Sequence, residues 1–77
     1  MKVLNRITID ADICHGKPVI RGTRVPVSIL VGSLAGGMDF DEVETEYGVT
    51  REDIQAALAF AGDLVNAESF HPLAGAA

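Results

Sequence analysis

From Asn5 to Asp10 apolar and polar side chains alternate, with Ile7 and Ile9 set between Arg6, Thr8 and Asp10. A period of two predicts a short β-strand. Between Gly16 and Val27, two short β-branched runs flank Gly22-Thr23. Glycine followed by another residue suits a two-residue type II′ turn, so residues 16–27 read as a β-hairpin. Pro18 and Pro26 at its outer ends stop the ladder from extending. The pattern then turns helical. A first helix, about 27–35, opens after Pro26 and closes at Gly36-Gly37. A second, 40–47, begins with the capping box Asp39-x-x-Glu42 and ends at Gly48. A third, 51–66, follows the box Thr50-x-x-Asp53. Its Ile54, Ala57, Leu58, Ala61 and Val65 form a helical core stripe. Phe60 falls roughly 120° from Ile54, on a flank with Ala56 and Ala59, where it is either a contact surface or packs under the hairpin. Residues 67–77 read as a short tail.

Helices two and three, joined by Gly48-Val49, have the form of a helix-turn-helix. Val43 and Tyr47 precede the turn, Val49, Ile54 and Ala57 follow it, and glycine sits where φ is expected to be positive. The expected fold is therefore mostly α: a three-helix, helix-turn-helix-like core of the winged-helix or homeodomain kind, with an N-terminal strand and hairpin.

At 77 residues this is one domain spanning 1–77, burying only about 60% of its unfolded surface. Scaffolds of this size need a staple or a partner. The single cysteine, Cys14, excludes an internal disulfide, and no Cys or His pair has zinc-ligand spacing. A self-sufficient helical core or oligomerisation remains. No cofactor or metal is expected. No apolar run is long enough to span a bilayer and no leader pattern is present, so a cytoplasmic protein without membrane contact is expected.

The net charge of −5 argues against a simple nucleic-acid binder, but it is an average. Residues 1–38 hold Lys2, Arg6, Lys17, Arg21 and Arg24 against Asp10 and Asp12, net +3; residues 39–77 hold Arg51 against nine acids, net −8. Any anion-binding surface thus lies in the first half, while the second faces solvent or a basic partner.

At the start of the third helix Arg51 and Gln55 are the residues that would read guanine and adenine. Glu52 and Asp53 beside them, with Glu44 and Glu46 on the second helix, would repel phosphates. The basic alternative is the hairpin tip. In a two-residue turn Arg21 and Arg24 face each other across the ladder, an arrangement that invites an anion, with Lys17 close in sequence. These cations either form a basic wing on nucleic-acid backbone or pair internally with Asp10, Asp12 or the acids of the second helix. Cys14 and His15, adjacent in an extended segment, would point to opposite faces and cannot form a nucleophile–base pair. No catalytic residue can be named, and a non-enzyme is expected.

The segment Gly16-Lys17-Pro18-Val19-Ile20-Arg21-Gly22-Thr23-Arg24-Val25-Pro26-Val27 resembles the signature of the bacterial domain-of-unknown-function family DUF433. Asp41-Glu42-Val43, Tyr47, Thr50-x-Glu52-Asp53-Ile54 and Ala56-Ala57-Leu58-x-Phe60-Ala61 continue the likeness, which covers roughly residues 6–65. The resemblance implies a helix-turn-helix-like domain and a VapB-like antitoxin: a homodimer that holds a PIN-like ribonuclease toxin inactive and binds its operator DNA. Lys17, Arg21, Arg24, Arg51 and Gln55 are then the expected DNA contacts. Phe60, with Phe70 and Leu73 of the tail, is the expected partner or dimer contact. The tail that would wrap a toxin is short here. The alternatives are a stand-alone DNA-binding regulator and a structural dimerisation module.

Overall fold

A computed structural model describes residues 6–67. Two strands, β1 (Ile7–Thr8) and β2 (Val19–Ile20), precede three helices: α1 (Val27–Ala35), α2 (Phe40–Tyr47) and α3 (Arg51–Ala67). The strands pair antiparallel, Ile7 opposite Ile20 and Thr8 opposite Val19, and a single further bridge joins Val19 to Pro26. The expected class, a helical core with a short antiparallel β element, is what the chain adopts.

The hairpin differs in detail. β2 takes its main partner from β1, because that register buries Ile7 opposite Ile20, leaving them 3% and 2% exposed. On its other side only two bonds form, from the Ile20 N–H to the Val25 carbonyl (2.9 Å) and from the Val27 N–H to that of Pro18 (2.9 Å). Pro26 has no N–H to carry the ladder between them.

The turn is also displaced from the two-residue geometry. The Thr23 N–H bonds to the Ile20 carbonyl (3.0 Å), so Gly22, at φ +78°, is the third residue of a turn over 20–23. The Thr23 hydroxyl holds this loop by donating to the Ile20 carbonyl (2.7 Å) and accepting from the Val25 N–H (3.0 Å). Arg21 and Arg24 therefore belong to a four-residue loop and are not a directly opposed pair.

The β1–β2 connection contains a tight turn at Cys14–Gly16 in place of the extended segment expected there. Cys14, His15 and Gly16 all have positive φ, at +50°, +58° and +80°. The turn is closed by Gly16 N–H to Ile13 carbonyl (3.0 Å) and Lys17 N–H to Cys14 carbonyl (3.2 Å).

The core lies where the strands, α1 and the helix-turn-helix meet. Ile20, Leu30, Val43 and Ile54 are its fully buried large side chains, with Val49 and Ala57 beside them. The Ser33 and Tyr47 hydroxyls share a 2.8 Å hydrogen bond that ties α1 to α2. The buried face of α3 is rotated from the expected stripe. Ala56 and Ala57 are buried and Phe60 packs against the core, whereas Leu58 and Val65 are 38% and 57% exposed. At 100° per residue Ala56, Ala57 and Phe60 all lie on the opposite side of Ile54 from Leu58. Alanines on that side let α1, the chief packing partner of α3, approach closely.

Candidate interaction surfaces

The helix-turn-helix is set by local bonds at each end. Asp39 Oδ1 accepts from the Glu42 N–H (2.8 Å) while Glu42 Oε1 accepts from the Asp39 N–H (3.0 Å), the reciprocal box expected from the sequence. α2 stops at Gly48, whose φ of +66° is left-handed and whose N–H bonds to the Glu44 carbonyl. A second box opens α3, with Thr50 N–H to Asp53 Oδ2 (3.0 Å) and Asp53 N–H to Thr50 Oγ1 (3.1 Å).

Asp53 also accepts from Arg6 Nη1 at 3.0 Å. Partial burial pushes its carboxyl up. The Thr50 backbone N–H, the Arg6 guanidinium and the Thr50 hydroxyl outweigh that push and hold it below the ordinary aspartate value.

Gln55 is exposed on α3. Arg51 is ion-paired within the chain. Its Nη2 lies 2.7 Å from Asp41 Oδ1, its Nε 3.1 Å from Glu44 Oε2, and its guanidinium 5.1 Å from the centre of the Phe40 ring. Arg51 thus pairs with acids of α2. Among residues 39–67 Arg51 is the sole cation, against eight acids, of which Asp41 and Glu44 pair with it and Asp53 with Arg6.

The loop over 21–24 borders a depression of about 360 Å³ lined by Thr8, Ile13, Val19, Gly22, Thr23 and Arg24. Arg24 is exposed, and its side chain has no hydrogen-bond or ion-pair partner among the described residues. Its carbonyl accepts from Cys14 Sγ at 3.5 Å. The Arg21 N–H bonds to the Arg6 carbonyl at 2.7 Å, fastening the loop to the residue ahead of β1.

Lys17 lines a different feature, an apolar groove of about 540 Å³ between α1 and α3. Pro18, Val27, Ser28, Val31 and Gly32 form one side, and Phe60, Ala61 and Leu64 the other. Phe60 is therefore both a half-buried core-packing residue and a groove wall. Leu64, 51% exposed, was not anticipated, although its position four residues after Phe60 and seven after Ala57 places it on the same face. Phe70 and Leu73 lie outside the described residues. Among the described residues no three His, Cys, Asp or Glu side chains gather as a metal site, and no helix is long and apolar enough to cross a membrane.

The profile of the family described as protein of unknown function (DUF433) matches residues 7–61, from β1 through the first eleven residues of α3. Comparison with curated proteins gave no match. Among solved structures the chain is similar to a DUF433 member from Anabaena variabilis ATCC 29413, with a TM-score of 0.73 and 35% identity over 80% of this chain. It is also similar to Rv2018 from Mycobacterium tuberculosis, with a TM-score of 0.62 and 35% identity over 68% of this chain. It spans 62% of the first protein and 24% of the second. The matched span takes in both strands, the arginine-bearing loop and the helix-turn-helix as far as Ala61, and on that ground the chain belongs to the DUF433 family.

Proposed function

We propose that this chain is the antitoxin of a type II toxin–antitoxin pair, a non-enzymatic cytoplasmic protein that inhibits a PIN-like ribonuclease and binds operator DNA. The observation that carries the reading is the clamping of Arg51 by Asp41 and Glu44. It takes up the one cation of the helical half and leaves that half acidic. A ribonuclease must present a positive surface to RNA phosphates, and carboxylates complement such a surface. The resemblance to VapB-like antitoxins supports the same assignment. Operator contact then falls to Arg21 and Arg24 on phosphates, with Gln55 on a base edge.

The test is co-expression with the product of each flanking gene, followed by an RNA-cleavage assay. The expected result is co-purification with one of them and loss of its RNA cleavage at equimolar chain. Failure of the chain to alter cleavage by either neighbour rejects the reading.

A second reading, a stand-alone DNA-binding regulator, is favoured by Arg24, an exposed arginine with no described partner. Specific DNA binding by the chain alone at low salt, with no toxin gene beside it, would select this alternative.

A further inference from the structure

Carboxylates crowd α2 and the first turn of α3, yet none lines the groove between α1 and α3. Its walls are apolar or small, with Phe60, Leu64 and Val31 the largest, and its one charge is Lys17. Lys17 is exposed and has no ion-pair partner among the described residues. Past Ala61, α3 runs on for six residues. There Leu64 and Val65 are 51% and 57% exposed, and Asp63 just before them likewise has no described ion-pair partner. Leu64 therefore faces the groove, with Val65 and Asp63 on the two flanks of α3 beside it, and Lys17 and Asp63 are both without an ion-pair partner among the described residues.

We propose that the groove receives the end of α3 from a second copy of this chain. A twofold contact requires the same patch to be self-complementary, with each residue's partner facing back across the axis. Leu64 of one copy seats against Phe60 and Val31 of the other, and the reverse. Asp63 of each copy reaches Lys17 of its partner, which gives two cross-copy ion pairs. Charge and apolar lining together favour this face. Two chains of −5 repel wherever their acids meet, and the groove is lined by a cation and no acid. A stable interface covers roughly 800 Å² per partner. That is about a seventh of the 5374 Å² this chain exposes, an area that a face built from two adjacent helices can supply.

The contact stands apart from the antitoxin reading, because it is measured on the chain alone. Sedimentation equilibrium of the full chain is expected to show a dimer at micromolar concentration. Leu64→Glu is expected to weaken it by about a hundredfold or more, since two half-buried leucines are lost at once. Leu64 lies outside the core, so helix content by circular dichroism is expected to be unchanged. Lys17→Glu and Asp63→Lys are each expected to weaken the dimer about tenfold, and the double reversal K17E/D63K to restore most of the affinity. The charge variants carry the test even where Leu64→Glu fails to fold. A monomer at all these concentrations, including one whose groove is filled only by a nuclease, overturns the proposal. So does a double reversal no tighter than the single variants.

Discussion

Arg6, just ahead of β1, and Asp53, in the first turn of α3, are 47 residues apart in sequence and 3.0 Å apart at Nη1 and Oδ1. The bond joins the N-terminal β element to the helix-turn-helix through a carboxylate that already caps α3. Asp53 thus serves a local box and a long-range pair at once.

Its carboxyl is held below the ordinary aspartate value in the folded chain, and the sign of the linkage follows. A depressed folded pKa contributes stability that is fully present above the unfolded value of 3.8 and is lost as pH falls through the lower folded value. Asp53→Ala removes the box and the ion pair together. It is expected to cost about 1–2 kcal/mol at neutral pH, or a fall in Tm of roughly 5–15 °C for a domain of this size. Urea melts at neutral pH and well below pH 3.8 check this, because the gap between wild type and variant is expected to narrow in acid. A gap independent of pH contradicts the assignment.

Gly48 and Gly62 make a matched pair of glycines. A Cβ built at either meets nothing within 4 Å, so substitution produces no clash at either site. Gly48 is left-handed at φ +66°, however, while Gly62 lies inside α3. Gly48→Ala is expected to destabilise by about 1–2 kcal/mol through backbone strain alone. Gly62→Ala is expected to stabilise by about 0.5–1 kcal/mol through the entropy of the unfolded chain. Opposite signs in denaturant midpoints at unchanged m-value are the check.

The ends of α2 and the start of α3 were legible because caps act locally: Asp39 with Glu42, Thr50 with Asp53, and Gly48 at the turn are each complete within four residues. The face that α3 buries was not. Ala56, Ala57, Leu58 and Ala61 are all apolar, and the choice among them is made by the approach of α1, which is not encoded in the helix's own spacing. The partner of β2 was hidden for the same reason. Val25–Val27 lies nearer in sequence, but only β1 brings Ile7 over Ile20. The candidate DNA contacts Lys17, Arg21, Arg24, Arg51 and Gln55 are all exposed. Arg51 was diverted by Asp41 and Glu44, ten and seven residues away, a pairing that appears only once α2 and α3 are packed.

That diversion divides the arginines experimentally. Under the operator-binding part of the proposed function, Arg24 contacts a phosphate and Arg51 chiefly holds α2 against α3. Arg24→Ala is expected to weaken binding to all sequences alike and to reduce the log–log salt slope by about 0.9, leaving stability within about 0.5 kcal/mol of wild type. Arg51→Ala is expected to do the reverse, costing about 0.5–1.5 kcal/mol of stability from two exposed ion pairs and a cation–π contact, with little change in salt slope. Mobility-shift titrations over a salt series, paired with thermal melts, separate the two. A salt slope that falls with Arg51→Ala and not with Arg24→Ala contradicts this division.

The turn at Cys14–Gly16 holds two non-glycine residues in succession in the left-handed region, at φ +50° and +58°. Each costs about 1–2 kcal/mol against a right-handed conformation. The segment accepts that cost because the turn returns the chain from β1 to β2 in the register that buries Ile7 against Ile20. His15 is exposed, and among the described residues its imidazole makes no hydrogen bond or ion pair. Replacing it sacrifices no contact in that part of the chain. His15→Gly is therefore expected to raise stability by about 0.5–1 kcal/mol, the relief of left-handed strain less the larger backbone entropy of glycine in the unfolded chain. Cys14→Gly is expected to gain less, since it also removes the 3.5 Å bond from Sγ to the Arg24 carbonyl that ties this turn to the 21–24 loop. Gly16→Ala is expected to lose about 1–2 kcal/mol. Its Cβ would stand 3.9 Å from the Ala11 Cα, an ordinary contact, so the loss would come from φ +80° and not from crowding. Urea denaturation of the three variants checks the order His15→Gly, Cys14→Gly, Gly16→Ala from most to least stable. A destabilising His15→Gly would show that the imidazole, and not the backbone, is what this turn depends on.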